Sequence, residues 1–213
     1  MHSVMDYHDA FRILREILNI GQGPTPNYGL EHVWAFVDLL FDGPIGRKHM
    51  SVKLGLGEGS VRSIVRRALS LGLVETGRKG CRLTGKGESV VTAIKSRVRG
   101  PYNVNLGDLT VSSHDAVFIV SGMAERVGSG VALRDAALLA GAKGATTMVY
   151  TRGILYVPAV SSNVAKDYPD CYRTIMSLKP SDGDVIVAGT AEQYLKAELG
   201  ARKAVLKLLG VED

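Results

Sequence analysis

Residues 60 to 71 carry side chains that could recognise a polyanion. Arg62 and Arg66 stand four apart, as do Ser63 and Arg67, so on a helix each pair shares one face. Val61, Ile64, Val65, Ala68 and Leu69 form a stripe at i, i+3, i+4, i+7 and i+8. That stripe must dock on a core, which turns Arg62, Ser63, Arg66, Arg67 and Ser70 outward. Arginine can make a bidentate hydrogen bond to guanine, serine is short and adaptable, and a helix fits the DNA major groove, about 12 Å wide. Ser60 is the expected N-cap, with backbone N–H groups near Glu58–Ser60 open to a phosphate. Arg47, Lys48 and Lys53 just before it would hold the nucleic-acid backbone. Arg78, Lys79 and Arg82 just after it would reach a flanking phosphate or the minor groove.

A second group of residues suits a small ligand. Gly128, Ser129 and Gly130 precede a helical pattern, with Arg134 in its first turns, so backbone could approach an anion or carboxylated metabolite there. Leu133 stands where a dinucleotide fingerprint has its third glycine, and no P-loop Lys-Ser/Thr follows. A conformational role for these glycines is the plainer alternative. "GAKGATT" at 141–147 adds Lys143, Thr146 and Thr147 as hydrogen-bonding candidates, or as a helix end followed by a strand. "AGTAEQY" at 188–194 is a third such junction.

The inventory for catalysis is poor. His114 and Asp115 lie beside Ser112 and Ser113, but adjacency in sequence is not a triad. Cys171 sits near a helix start, where a thiolate could be stabilised, yet a lone cysteine on an amphipathic helix reads as core. His2, Asp6, His8 and Asp9 cluster loosely without a second pair at a diagnostic metal spacing. No catalytic, metal or cofactor residue is assigned, and the expectation is a non-enzyme.

The elements that must position these groups follow from periodicity and breakers. Helices are expected at 5–19, 31–41, 47–54, from about 60 and at 84–98, with two short strands in "LVETGRKGCRLT" and a loop at 21–29. "RGPYNVNLGD" at 99–108 holds a breaker pair and a polar run, and the charge balance changes there, so the domain boundary is expected at that place, dividing the chain into 1–99 and 100–213. Beyond it, strands at 116–121, 146–150, 154–157 and 184–188 alternate with helices at 131–142, 169–178 and 192–209. That order, β-α-β-β-α-β-α, predicts an α+β class with a ferredoxin-like (βαββαβ) domain and an extra helix.

Charge supports the division. The 213 residues carry a net +5, but residues 43–99 hold 13 basic and 3 acidic side chains. Such a segment attracts a polyanion, and nucleic acid is the usual one. Two cysteines exclude a disulfide framework, and no stretch is apolar enough for a membrane span. The first twenty residues lack a basic-then-apolar pattern, so a cytoplasmic protein is expected.

Residues 31–98 resemble the DNA-binding domain of winged-helix repressors, including the iron-dependent and multiple-antibiotic-resistance types. The resemblance rests on "LGLGEGSVRSIVRRALSLGLV" at 54–74 and "LTGKG" at 83–87. It implies a winged helix-turn-helix whose second helix and wing contact double-stranded DNA. The whole chain is also similar to a set of archaeal proteins with this head. That similarity rests on "GSGVALRDAALLAGAKGATTMVY" and "DVIVAGTAEQYLKAELGA" and supplies no function. The expectation is a transcriptional regulator, a homodimer, whose second domain senses a small-molecule effector, dimerises, or both. The helices at 5–19 and 192–209 are the expected dimer seams. An enzyme with a regulatory head and a protein-docking winged helix are the alternatives.

Overall fold

Helices build the first part of the chain in the computed structural model, which describes residues 5–19 and 26–212. Helix α1 (Tyr7–Arg15) begins where the Asp6 carboxylate accepts a hydrogen bond from the Asp9 amide at 2.8 Å. It ends sooner than the periodicity predicts, at a cap on Glu16. Most of the expected loop at 21–29 lies outside the described residues. Helix α2 (Leu30–Phe41) is apolar nearly all round because it is the centre of its core: Val33, Trp34, Phe36 and Val37 are all buried. Trp34 meets Phe11 of α1 edge-to-face, with ring centroids 5.4 Å apart.

Helix α3 (Arg47–Leu54) stops at Gly55, whose φ of 63° is left-handed, and α4 (Glu58–Ser70) starts shortly after. Gly57 is the N-cap of α4, not Ser60, which stands inside the first turn and donates to the Asn27 side chain at 2.7 Å. Strands β1 (Val74–Gly77) and β2 (Gly80–Leu83) form a tight antiparallel hairpin with Arg78 and Lys79 at its tip. Ile45, before α3, bridges to Cys81 of β2 by two backbone hydrogen bonds of 2.9 Å. Gly80 permits this approach, since a Cβ there would lie 2.4 Å from the Ile45 carbonyl oxygen. Helix α5 (Gly85–Lys95) follows, capped by the Thr84 hydroxyl.

The chain divides into two compact units, Met1–Arg97 and Val98–Asp213. The second unit holds β3 (Val98–Val104), β4 (His114–Val120), α6 (Val131–Leu139), β5 (Gly144–Thr151) and β6 (Ile154–Tyr156). After these come α7 (Val164–Asp167), α8 (Pro169–Ser177), β7 (Asp184–Ala191) and α9 (Tyr194–Leu209). The five strands form one sheet in the order β3-β4-β7-β5-β6, with every neighbouring pair antiparallel. The protein is thus α+β, helical at its N-terminal end with a five-stranded antiparallel sheet in its C-terminal part.

Two expectations are corrected here. The stretch expected to hold the domain boundary is largely strand β3, an edge strand on which Gly100 and Pro101 are tolerated, and the units divide just before it, after Arg97. The ferredoxin-like plan has the right element order but the wrong sheet. It would place the first and third strands of βαββαβ at the centre, with both helices on one face. Here the last strand, β7, lies between β4 and β5, and both sheet faces are covered. Val117, Ile119, Ile186 and Ala188 pack with Cys171 and Ile175 of α8. On the other face Ala116 and Ala191 pack with Ala197 of α9, and Arg202 of α9 lies 5.1 Å from the Phe118 ring centroid. Apolar runs unbroken by alternation, such as those of β4 and β7, are the mark of a sheet buried on both faces.

Helix α9 packs much of its surface within its own unit. Ten of its sixteen residues are buried. Gly200 meets the turn after α6 so closely that a Cβ there would lie 2.4 Å from the Ala142 Cβ. Among the described residues, no helix is long and apolar enough to cross a membrane.

Candidate functional site

The stripe Val61, Ile64, Val65 and Ala68 is buried, as its spacing requires, and it orients α4 with Arg62 and Arg66 exposed. Two grooves run beside this helix. One, of about 570 Å³, lies between α4 and the hairpin and is lined by Arg47, Arg62, Val65, Arg66, Leu69 and residues 76–81. The other, of about 740 Å³, is lined by residues 46–49, Val52, Glu58 and Arg62. Arg47 and Arg62 line both. The hairpin tip brings Arg78 and Lys79 to the groove edge, opposite Arg62 and Arg66. Arg47, Lys48, Lys53, Arg62, Arg66, Arg78 and Lys79 are all exposed, and none makes an ion pair among the described residues. An unneutralised cluster of this kind concentrates positive potential where α4 is most accessible.

Other residues of the expected set have different fates. The Arg67 guanidinium donates to the Ile17 carbonyl at 2.8 Å and holds the turn after α1. Ser63 is half-buried on the flank of α4, and the Ser70 hydroxyl donates back to the Arg67 carbonyl. Arg82 pairs with Glu75 across the hairpin at 2.6 Å, both side chains more than half exposed. Lys53 lies at the far end of α3, outside both grooves. Sequence reasoning missed His49, which is exposed and lines the wider groove beside Lys48. It also missed Leu69 as groove floor, because the apolar stripe assigned it wholly to the core; it is 39% exposed.

In the second unit, Ser129, Gly130, Arg134, Thr146 and Thr147 come together around a cavity of about 230 Å³. Leu109, Val131, Ala145 and residues 157–160 complete its lining. The Thr146 hydroxyl donates to the Leu109 carbonyl at 3.0 Å. Gly128 and Lys143 are not part of the lining. Lys143 instead faces Glu192 at 3.4 Å on the surface. The third junction serves packing: Gly189 lies against the backbone of α9, where a Cβ would come within 2.3 Å of the Ala197 carbonyl oxygen.

His114 and Asp115 point to different surroundings. His114 is exposed beside the Ser113 hydroxyl, while Asp115 is buried and accepts hydrogen bonds from the Leu106 amide and the Thr110 hydroxyl. Cys171 is buried, and burial, reinforced by the Asp115 charge, pushes its thiol up to about 11. Cys81 is raised to about 11 by burial. His2 lies outside the described residues. Among the described ones, no three His, Cys, Asp or Glu side chains gather as metal ligands.

Comparison with known proteins follows this two-part plan. Residues 29–89 match the family described as PH0730-like, N-terminal domain. Residues 111–208 match a domain of unknown function, DUF4443. Among solved structures, the hypothetical protein PH0730 from the archaeon Pyrococcus horikoshii OT3 is similar, with 28% identity and a TM-score of 0.72. The similarity covers 86% of this chain and 94% of that one. No curated protein matches the chain in sequence.

Proposed function

We propose that the first unit carries a winged helix that binds double-stranded DNA, and that the protein is a cytoplasmic transcriptional regulator. Its second unit senses a small molecule, pairs two copies of the chain, or both. The observation that carries this reading is the set of exposed cations, without ion-pair partners among the described residues, around α4 and the β1–β2 tip. Supporting it, α3, the left-handed turn at Gly55, α4 and the hairpin follow the helix-turn-helix-wing order, with Ile45 bridging to β2 as a short third strand. In this reading α4 enters the major groove with Arg62 and Arg66 toward base edges. Arg78 and Lys79 follow the adjacent backbone, and Arg47 and Lys48 hold a phosphate. Two copies would set their α4 helices one DNA turn apart, about 34 Å, and an effector would act by favouring one spacing of the heads.

Selection from random double-stranded DNA, followed by affinity measurement over a salt series, tests the proposal. Affinity should fall steeply with salt, with a log–log slope of about −0.9 per phosphate neutralised. Replacing both Arg62 and Arg66 with alanine should weaken specific binding by about 1–3 kcal/mol for each base no longer read. Arg67→Ala should leave affinity unchanged and lower the thermal midpoint, because that side chain is tied to Ile17. Unaltered affinity in the Arg62/Arg66 variant removes α4 as the reading helix. A shallow salt dependence with a protein partner would favour the docking alternative.

A further inference from the structure

The small cavity of the second unit has a chemistry of its own. Helix α6 has nine residues and its N-cap is Gly130, in the left-handed region at φ 77°, with no side-chain cap bond. Its first-turn N–H groups have no side-chain cap, and Ser129, Gly130 and Val131 at this positive end of the helix dipole line the cavity. Beneath that turn lies Thr147. It is 4% exposed, lines the cavity, and its hydroxyl has no hydrogen-bond partner among the described residues. A Cβ placed on Gly130 would stand 3.7 Å from that hydroxyl oxygen. A buried hydroxyl left without a partner is costly and rare, and a bound acceptor would remove the cost.

Arg134 adds the charge. It sits one turn into α6 and lines the same cavity, and side chains on a helix lean toward its N-terminus. Its guanidinium meets the adjacent Asp135 at 3.3 Å, between two side chains each more than half exposed. Such a contact is weak and is readily exchanged for a ligand carboxylate held bidentately. Leu109, Val157, Pro158 and Val160 add apolar side chains to the lining. The volume, about 230 Å³, falls below the roughly 300–1,000 Å³ of sites for drug-sized ligands.

We infer that this cavity binds a small aliphatic carboxylate. Its carboxyl group sits at the α6 N-terminus, accepting from the Thr147 hydroxyl and from Arg134, with its short hydrocarbon body against Val157 and Val160. A single guanidinium and these apolar lining side chains suit one negative charge better than the two of a phosphate. The inference rests on the sensing role proposed for this unit and names its ligand class.

Calorimetric titration of the full chain, with no DNA present, tests it with isobutyrate, acetate and inorganic phosphate as probes. Isobutyrate should bind, acetate more weakly, and phosphate not comparably. Thr147→Val should keep or raise the thermal midpoint, since it removes an unsatisfied hydroxyl, and weaken isobutyrate by roughly tenfold or more. Arg134→Gln, at an exposed position, should weaken it to a similar degree. Absence of isobutyrate binding up to about 10 mM overturns the inference. So does affinity that survives both substitutions, or phosphate binding tighter than isobutyrate. Because the assay contains no DNA, these failures leave the reading of α4 untouched, and failure of DNA binding leaves this site standing.

Discussion

Arg62, Arg66 and Arg67 differ little in type and spacing, yet they divide into two jobs. Arg62 and Arg66 extend into solvent beside the grooves, while Arg67 reaches the Ile17 carbonyl and is consumed by the fold. What separates them is a main-chain acceptor brought from fifty residues away. The cysteines show the same dependence on surroundings. Burial holds both thiols neutral, with pKa raised from 9.0 to about 11. Below pH 9.0 the thiol is protonated folded or unfolded, and its share of stability is whole. Between pH 9.0 and about 11 the unfolded chain releases the proton and the folded chain keeps it, so stability falls as pH rises. The urea midpoint should therefore hold steady up to about pH 9 and decline above it, and native alkylation near pH 8 should be slow. Rapid native labelling of Cys81 or Cys171 would count against the burial described here.

Elements are most legible in the sequence where a local rule decides them. Arg152 and Gly153 join β5 to β6 with φ values of 51° and 76°, the two positive angles a type I′ hairpin turn needs. Strand β3 is hidden because a breaker pair stands inside it, and the pairing that makes it a strand comes from β4. The seam between β7 and α9 is legible only as a glycine. At Gly189 an added Cβ would meet backbone atoms at 2.3 and 2.7 Å, and backbone cannot swing aside. Gly189→Ala should destabilise the protein by about 1–3 kcal/mol or more, read as a lower thermal midpoint. Gly85→Ala is the control: it opens α5 with free space around it, and should be neutral or stabilising by up to about 1 kcal/mol. Equal behaviour of the two variants would refute close packing at the seam.

At the scale of the molecule, charge and fold are partitioned together. Residues 1–97 hold 14 basic and 9 acidic side chains, and residues 98–213 hold 12 of each. Each unit has its own buried core, so each should fold alone. Fragments 1–97 and 98–213 should both unfold cooperatively in scanning calorimetry, and only the first should retain salt-sensitive DNA affinity. A fragment beginning at residue 105 should melt lower than one beginning at 98, because it lacks β3 and bares the edge of β4. A 105–213 fragment as stable as 98–213 would show that β3 contributes little.

The sequence by itself determined what short-range physics controls. The stripe from Val61 to Leu69 placed a helix and its outward face. Arg152–Gly153 made a turn, and the unbroken runs in β4 and β7 announced burial. Each depends on backbone sterics or a repeat within a few residues. The tertiary structure alone decided that β7 lies between β4 and β5, and that α8 covers one sheet face while α6 and α9 cover the other. It alone decided that Arg67 is spent on Ile17, and that the Thr147 hydroxyl is buried beneath α6 without a partner among the described residues. Strand order and hydrogen-bond partners are set by competition among distant segments for the same buried edges and acceptors. No local pattern encodes the outcome of that competition.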